Sequence, residues 1–144
     1  MSAHITVLVP FMAPEQFSAG TERALDRALR ERPAFTFKLA RVGRFAETAY
    51  LEPDPSEPFV ELTRTIVELF PDYPPYAGAH SEVIPHLTVA DGSSSNARSV
   101  EAALQRALDR SGPIACFCRE VHLVENVSGK WRVRCVFKLA GSGA

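Results

Sequence analysis

Cysteine is scarce in this sequence. Only Cys116, Cys118 and Cys135 occur among 144 residues, an odd number in apolar surroundings. The Cys-x-Cys pair lacks usual zinc spacing, and unpaired apolar thiols fit a reducing cytoplasm rather than a disulfide framework. An excess of one charge is also missing. Sixteen Lys and Arg stand against 17 Asp and Glu, a net charge of −1. No bulk basic field therefore announces nucleic acid, and any RNA contact has to be local. No apolar run approaches the ~20 residues of a membrane-spanning helix, and no charged start leads into an apolar core as in a signal peptide. No membrane contact is expected, and the expected location is the cytoplasm. Histidine is rare, with four in the chain. Two of them, His80 and His122, show no ligand spacing, so no metal is expected.

What is present is ordinary for a globular protein: 46% apolar and 23% charged residues. The length suits one domain over residues 1–144 with a core that needs no staples. Periodicity changes repeatedly along the chain. Residues 4–9, β-branched and closed by Pro10, read as a strand. Phe17, Leu25, Ala28 and Leu29 mark a helix ending at Pro33. Phe35, Phe37 and Leu39 alternate with polar residues, and a second run covers residues 48–51, so two strands joined by a turn follow. Phe59, Leu62, Ile66, Leu69 and Phe70 recur at helical spacing, led in by an acidic run with Ser56 as cap. A rigid loop with Pro71, Pro74, Pro75 and Gly78 separates this half from the next. Residues 86–90 read as a strand. A capped helix carrying Val100, Leu104 and Leu108 stops at Gly112-Pro113, and residues 114–126 and 130–140 are two further strands around a turn.

The order strand, helix, strand, strand occurs twice, with a helix and the proline loop between. It implies an α+β fold with two pseudo-symmetric lobes, each a mostly antiparallel sheet with a helix outside, around a central cleft. The same small pattern opens each half: "HITV" from His4 and "HLTV" from His86. Side chains in a strand alternate faces, so His4 and Thr6 share one face, and His86 and Thr88 share one in turn. A lone His-x-Thr is an ordinary strand fragment. Two copies, each followed by matching elements, put two imidazoles and two hydroxyls at one cleft. One imidazole can accept a proton while the other donates one, and the hydroxyls can donate to oxygens gaining charge. In-line displacement at a phosphodiester needs such a set and no metal.

With "RVGRFAETAYLEP", "LFPDYPPYAG" and the last strand pair between and after them, these motifs resemble the 2H phosphoesterase superfamily in its 2′-5′ RNA ligase-like branch. The resemblance covers essentially the whole chain. It implies a cofactor-independent cyclic phosphodiesterase or 2′-5′ RNA ligase-like enzyme, acting on RNA ends or small cyclic nucleotides. His4 and His86 become the acid–base pair, with Thr6 and Thr88 as phosphate donors. The alternative is a catalytically weak RNA- or nucleotide-binding protein that keeps the cleft. Three residues after the second threonine, where ligase-type members often carry arginine, stands Asp91, which would not grip phosphate.

Around these four, Tyr76 is placed to stack on a base or close the cleft, and Arg44 and Phe45, at a hairpin turn, to touch nucleotide. Lys130, Trp131 and Arg132 form a basic-aromatic cluster that suits RNA or plain edge protection. His4 stands three residues after Met1. Its lobe is therefore expected to lack a strand, leaving an uncovered sheet edge that invites a homodimer or is covered by residues upstream.

Overall fold

The three helices form where apolar spacing puts them. In the computed structural model, which describes residues 3–79 and 83–141, they are α1 (Ala19–Arg30), α2 (Glu57–Leu69) and α3 (Ser94–Ser111). Ser18 caps α1 by accepting from the Thr21 N–H at 3.2 Å, and Ser93 caps α3 through the Asn96 N–H at 3.1 Å. Ser56 occupies the cap position of α2 without a side-chain cap bond. Its backbone is already helical (φ −87°, ψ −22°) rather than extended, which turns the hydroxyl away from the first free amides. Gly112 ends α3 at φ 76°, a conformation that glycine adopts without steric cost.

Six strands follow in chain order: β1 (Phe35–Phe45), β2 (Thr48–Asp54), β3 (Leu87–Asp91), β4 (Ile114–Cys118), β5 (Glu120–Val127) and β6 (Lys130–Lys138). They build a four-stranded antiparallel sheet in the order β3-β2-β1-β4 and a β5–β6 hairpin. The α+β class with two antiparallel sheets and helices outside is as the sequence implies. Two details differ. Residues 114–126 do not run as one strand: β4 ends at Cys118 beside β1, and β5 starts at Glu120 in the other sheet. Residues 4–9 do not form a regular strand either. They touch the sheet through one antiparallel bridge, Ile5 to Leu87.

The two halves of the chain exchange their helices. α3, from the second half, lies on β1, β2 and β3, whereas α1, from the first half, lies on β6 and α2. The main core joins Leu25 and Leu29 of α1, Leu62 and Ile66 of α2, Phe137 of β6 and Leu139. Val7, Leu8, Phe11, Cys118 and Cys135 pack on its margin. Phe59 of α2 meets Phe35 and Phe37 edge-on, both at 5.0 Å between ring centres, and so links this core to β1. Backbone bonds from Ala34 N–H to Ala140 C=O (2.9 Å) and from Ala140 N–H to Arg32 C=O (2.8 Å) seam the ends of the two sheets.

Candidate active site

The Ile5–Leu87 bridge is where the two His-x-Thr segments meet. Directly opposed residues of an antiparallel pair point to the same face. Ile5 and Leu87 therefore turn one way, and His86 and Thr88, on the face of Tyr50, turn the other. Extending the register by one residue sets His4 opposite Thr88 and Thr6 opposite His86. The two histidines are then diagonal neighbours, with roughly 7–8 Å expected between such positions. His4, Thr6 and Thr88 are exposed, and His86 is half-buried.

Each segment is held differently. β3 pairs with β2 from Leu87 to Asp91, with Tyr50 opposite Thr88. At the end of β3, the Asp91 carboxylate accepts from the Thr48 hydroxyl and the Gly92 N–H, both at 2.9 Å. Asp91 thus closes the strand end. The segment before Pro10 is anchored by the buried Thr63 of α2, whose hydroxyl donates to the Val7 carbonyl at 2.6 Å. The Tyr76 N–H donates to the Val9 carbonyl at 2.7 Å. Thr6, Val7, Leu8, Val9, Pro75, Tyr76 and Val83 line a small cavity between segment and loop. Tyr76 is therefore brought beside Thr6.

The His86 imidazole has a defined hydrogen bond. Its Nδ1 lies 2.7 Å from the Ile84 carbonyl. A carbonyl only accepts, so Nδ1 carries the proton, and Nε2 holds the lone pair of the neutral ring. The ring also sits between two aromatics on the same face. Phe45 meets it edge-on at 5.3 Å and Tyr50 at 5.4 Å. Burial, with the charge of Glu52 adding to it, pushes the Tyr50 hydroxyl pKa up and keeps the group neutral.

Phe45 thus stands beside His86, whereas its neighbour Arg44 points to the opposite face and forms an ion pair with Glu101 of α3 at 3.5 Å. Arg44, expected to touch nucleotide, thus lies on the helix side of the sheet, where strand alternation sends it and a carboxylate meets it. In the basic-aromatic cluster, Arg132 is held by Glu125, its Nε 2.7 Å from the carboxylate, and Trp131 is about half exposed. His122 pairs with Glu120 at 2.8 Å, and His80 lies outside the described residues. Among the described residues no three His, Cys, Asp or Glu side chains converge as a metal site requires. No helix among them is long and apolar enough to cross a membrane.

Tyr50 was not marked by its own pattern, since it lies in a run of apolar strand residues. Its signal is across the hairpin: counting back from the Ala46-Glu47 turn sets it opposite Gly43, and a glycine inside a strand often marks a close approach.

An antiparallel α+β frame in which two His-x-Thr segments meet at one bridge has the makings of a phosphoesterase. Sequence comparison agrees at the level of class. The model of the 2′-5′ RNA ligase superfamily matches residues 1–130, and the chain belongs to that superfamily, whose members are 2H phosphoesterases. A solved structure described as "Crystal structure of phosphoesterase" superposes with a TM-score of 0.57 at 17% identity, covering 96% of this chain and 77% of that one. At that identity the likeness is one of fold. No curated protein sequence matches the chain.

Proposed function

We propose that the protein is a metal-independent phosphodiesterase that opens 2′,3′-cyclic phosphates, or cleaves 2′-5′ linkages, at RNA ends or in small nucleotides. His4 and His86 are the acid–base pair, and Thr6 and Thr88 donate to the non-bridging oxygens. Residues 1–144 act as one domain. The observation that supports this reading is the antiparallel Ile5–Leu87 bridge, at which the two His-x-Thr segments meet.

In ring opening, one neutral imidazole takes a proton from water as its oxygen attacks phosphorus. The bond from phosphorus to one ribose oxygen breaks, and the opposite imidazolium gives that oxygen a proton. The histidines exchange roles in the reverse direction, so the chemistry is symmetric in them. The Nε2 lone pair, left open by the Nδ1–H bond to Ile84, is the working atom of His86. Phe45, 38% exposed beside it, gives a base a surface to stack on, and Tyr76 borders the Thr6 side. β3 is the outer strand of its sheet, bridged among the described residues by Ile5 alone, and its remaining edge is where a second copy would pair, which sedimentation reads directly.

The test is incubation with 2′,3′-cyclic nucleotides in EDTA. Opening to a monophosphate at an undiminished rate is expected. Saturable binding without turnover would move the protein to a nucleotide-binding role. A rate lost to chelator and restored by zinc or manganese would overturn the two-histidine scheme.

A further inference from the structure

Gly43 lies inside β1, where a glycine packs nothing and weakens the strand. Its φ is not positive, so backbone freedom does not account for it. What accounts for it is Tyr50, its partner in the β1–β2 register. A Cβ at Gly43 would stand 2.6 Å from the Tyr50 hydroxyl oxygen, with ring carbons nearer still. The missing side chain is the slot in which the ring lies. From there Tyr50 reaches Phe45 at 4.6 Å and His86 at 5.4 Å between ring centres, and Phe45 closes the third side at 5.3 Å from His86.

We propose that Tyr50, seated in the Gly43 slot and backed by Phe45, is a positioning residue for His86. The bond from Nδ1 to Ile84 chooses the nitrogen and its direction. It leaves the ring free to tilt about that bond, and a tilted imidazole carries Nε2 off the line of proton transfer. Packing against two rings removes that freedom. A substituent at Gly43 acts through the same route, by pushing the Tyr50 ring out of its slot. This inference rests on the acid–base role of His86, so the experiment has to read the two separately.

Turnover of a 2′,3′-cyclic nucleotide is measured for wild type, His86→Ala, Tyr50→Leu, Tyr50→Phe and Gly43→Ala, with NMR of the His86 ring protons alongside. Tyr50→Leu and Gly43→Ala are expected to lower kcat on the order of a hundredfold, as misplacement by ~1 Å does, with KM nearly unchanged. Tyr50→Phe keeps the ring and should keep kcat. The ring-current shift that Tyr50 imposes on His86 should persist in Tyr50→Phe and vanish in Tyr50→Leu. The two disruptive variants act on the ring from opposite sides, so either one that folds suffices. A folded Tyr50→Leu with wild-type kcat and unmoved His86 signals overturns the positioning role while His86→Ala stays inactive. An active His86→Ala instead overturns the acid–base role, and the NMR shift then still decides whether Tyr50 holds the ring.

Discussion

The two His-x-Thr segments share a pattern but not a way of being held. The second starts a ladder strand: β3 pairs with β2, and Asp91 fastens its end to Thr48 and Gly92. The first forms no regular strand. It leans on the α1–α2–β6 core through Val7 and Leu8, and its carbonyls at Val7 and Val9 are claimed by Thr63 and by the loop amide of Tyr76. What both share is the Ile5–Leu87 bridge that brings them side by side. Proton transfer needs a side chain aimed and steadied, and a strand is one means of doing so. A threonine hydroxyl and a loop amide are another. The difference predicts that the two halves of the site fail for different reasons.

The largest effect tests whether the halves are equal. His4→Ala and His86→Ala should each lower kcat by on the order of a thousandfold or more, because both proton transfers serve one displacement and the pair acts as a unit. The double variant should be little worse than either single one. Single-turnover kinetics on a 2′,3′-cyclic nucleotide measure all three. If His4→Ala retains full turnover while His86→Ala is inactive, only the ladder-held segment is catalytic and the symmetric scheme is broken.

Local pattern made the helices legible, and the antiparallel class with them. Leu25 and Leu29, or Leu62 and Ile66, are core residues at the spacing that marked them. The break between β4 and β5 was less visible because apolar residues continue through it. Its trace is a slip of phase: Cys116 and Cys118 pair along β1, and the next residues packed inward are Val121 and Leu123, an odd step later. The exchange of helices between chain halves had no trace, since α3 on β1 and α1 on β6 are contacts between remote segments. In the site, the repeated His-x-Thr spacing marked two segments that the structure brings together at the Ile5–Leu87 bridge. It could not show that residues 4–9 lack a ladder, because a β-branched run forms a regular strand only where an edge pairs with its whole length. Nor could it show that Arg44 is taken by Glu101, a partner 57 residues away in sequence.

Thr63 separates the segments more finely. Thr63→Val preserves shape and removes the donor to the Val7 carbonyl, leaving a part-buried acceptor unmet. The cost is about 1–2 kcal/mol of stability, read by denaturant unfolding. Because only the His4 side is loosened, kcat should fall moderately and the His86 ring signals in NMR should not move. Movement of the His86 signals would show that the two supports are coupled rather than separate.

Alkaline pH probes the core under the first segment. Burial pushes the Cys118 thiol up from its ordinary range, a backbone hydrogen bond at Glu120 opposing this and the Glu120 charge adding to it. A raised folded-state pKa means that stability is full below the unfolded thiol's value of about 8.5 and declines as pH rises from there toward the folded value. Thermal unfolding should therefore move to lower temperature above that pH. Cys118→Ala should be less stable at neutral pH, for lost packing, yet show a flatter decline. An equal slope in both would place the alkaline transition elsewhere.

Asp91 provides the smallest effect and the sharpest contrast. It stands where a phosphate-gripping arginine would be useful, yet both its hydrogen bonds are internal, to Thr48 and Gly92 at the exposed end of β3. Its work is to fasten the second segment to β2, as Thr63 fastens the first to α2. Because the bonds are solvent-exposed, Asp91→Ala should cost only about 1 kcal/mol. The pairing of Tyr50 with Thr88 and of Leu51 with Leu87 lies inward of that end. His86 and Thr88 should therefore hold their places, and kcat and KM should stay at wild-type values. If KM for a cyclic nucleotide rises in Asp91→Ala without loss of stability, the carboxylate touches substrate. The second segment would then carry a binding group with no counterpart on the first.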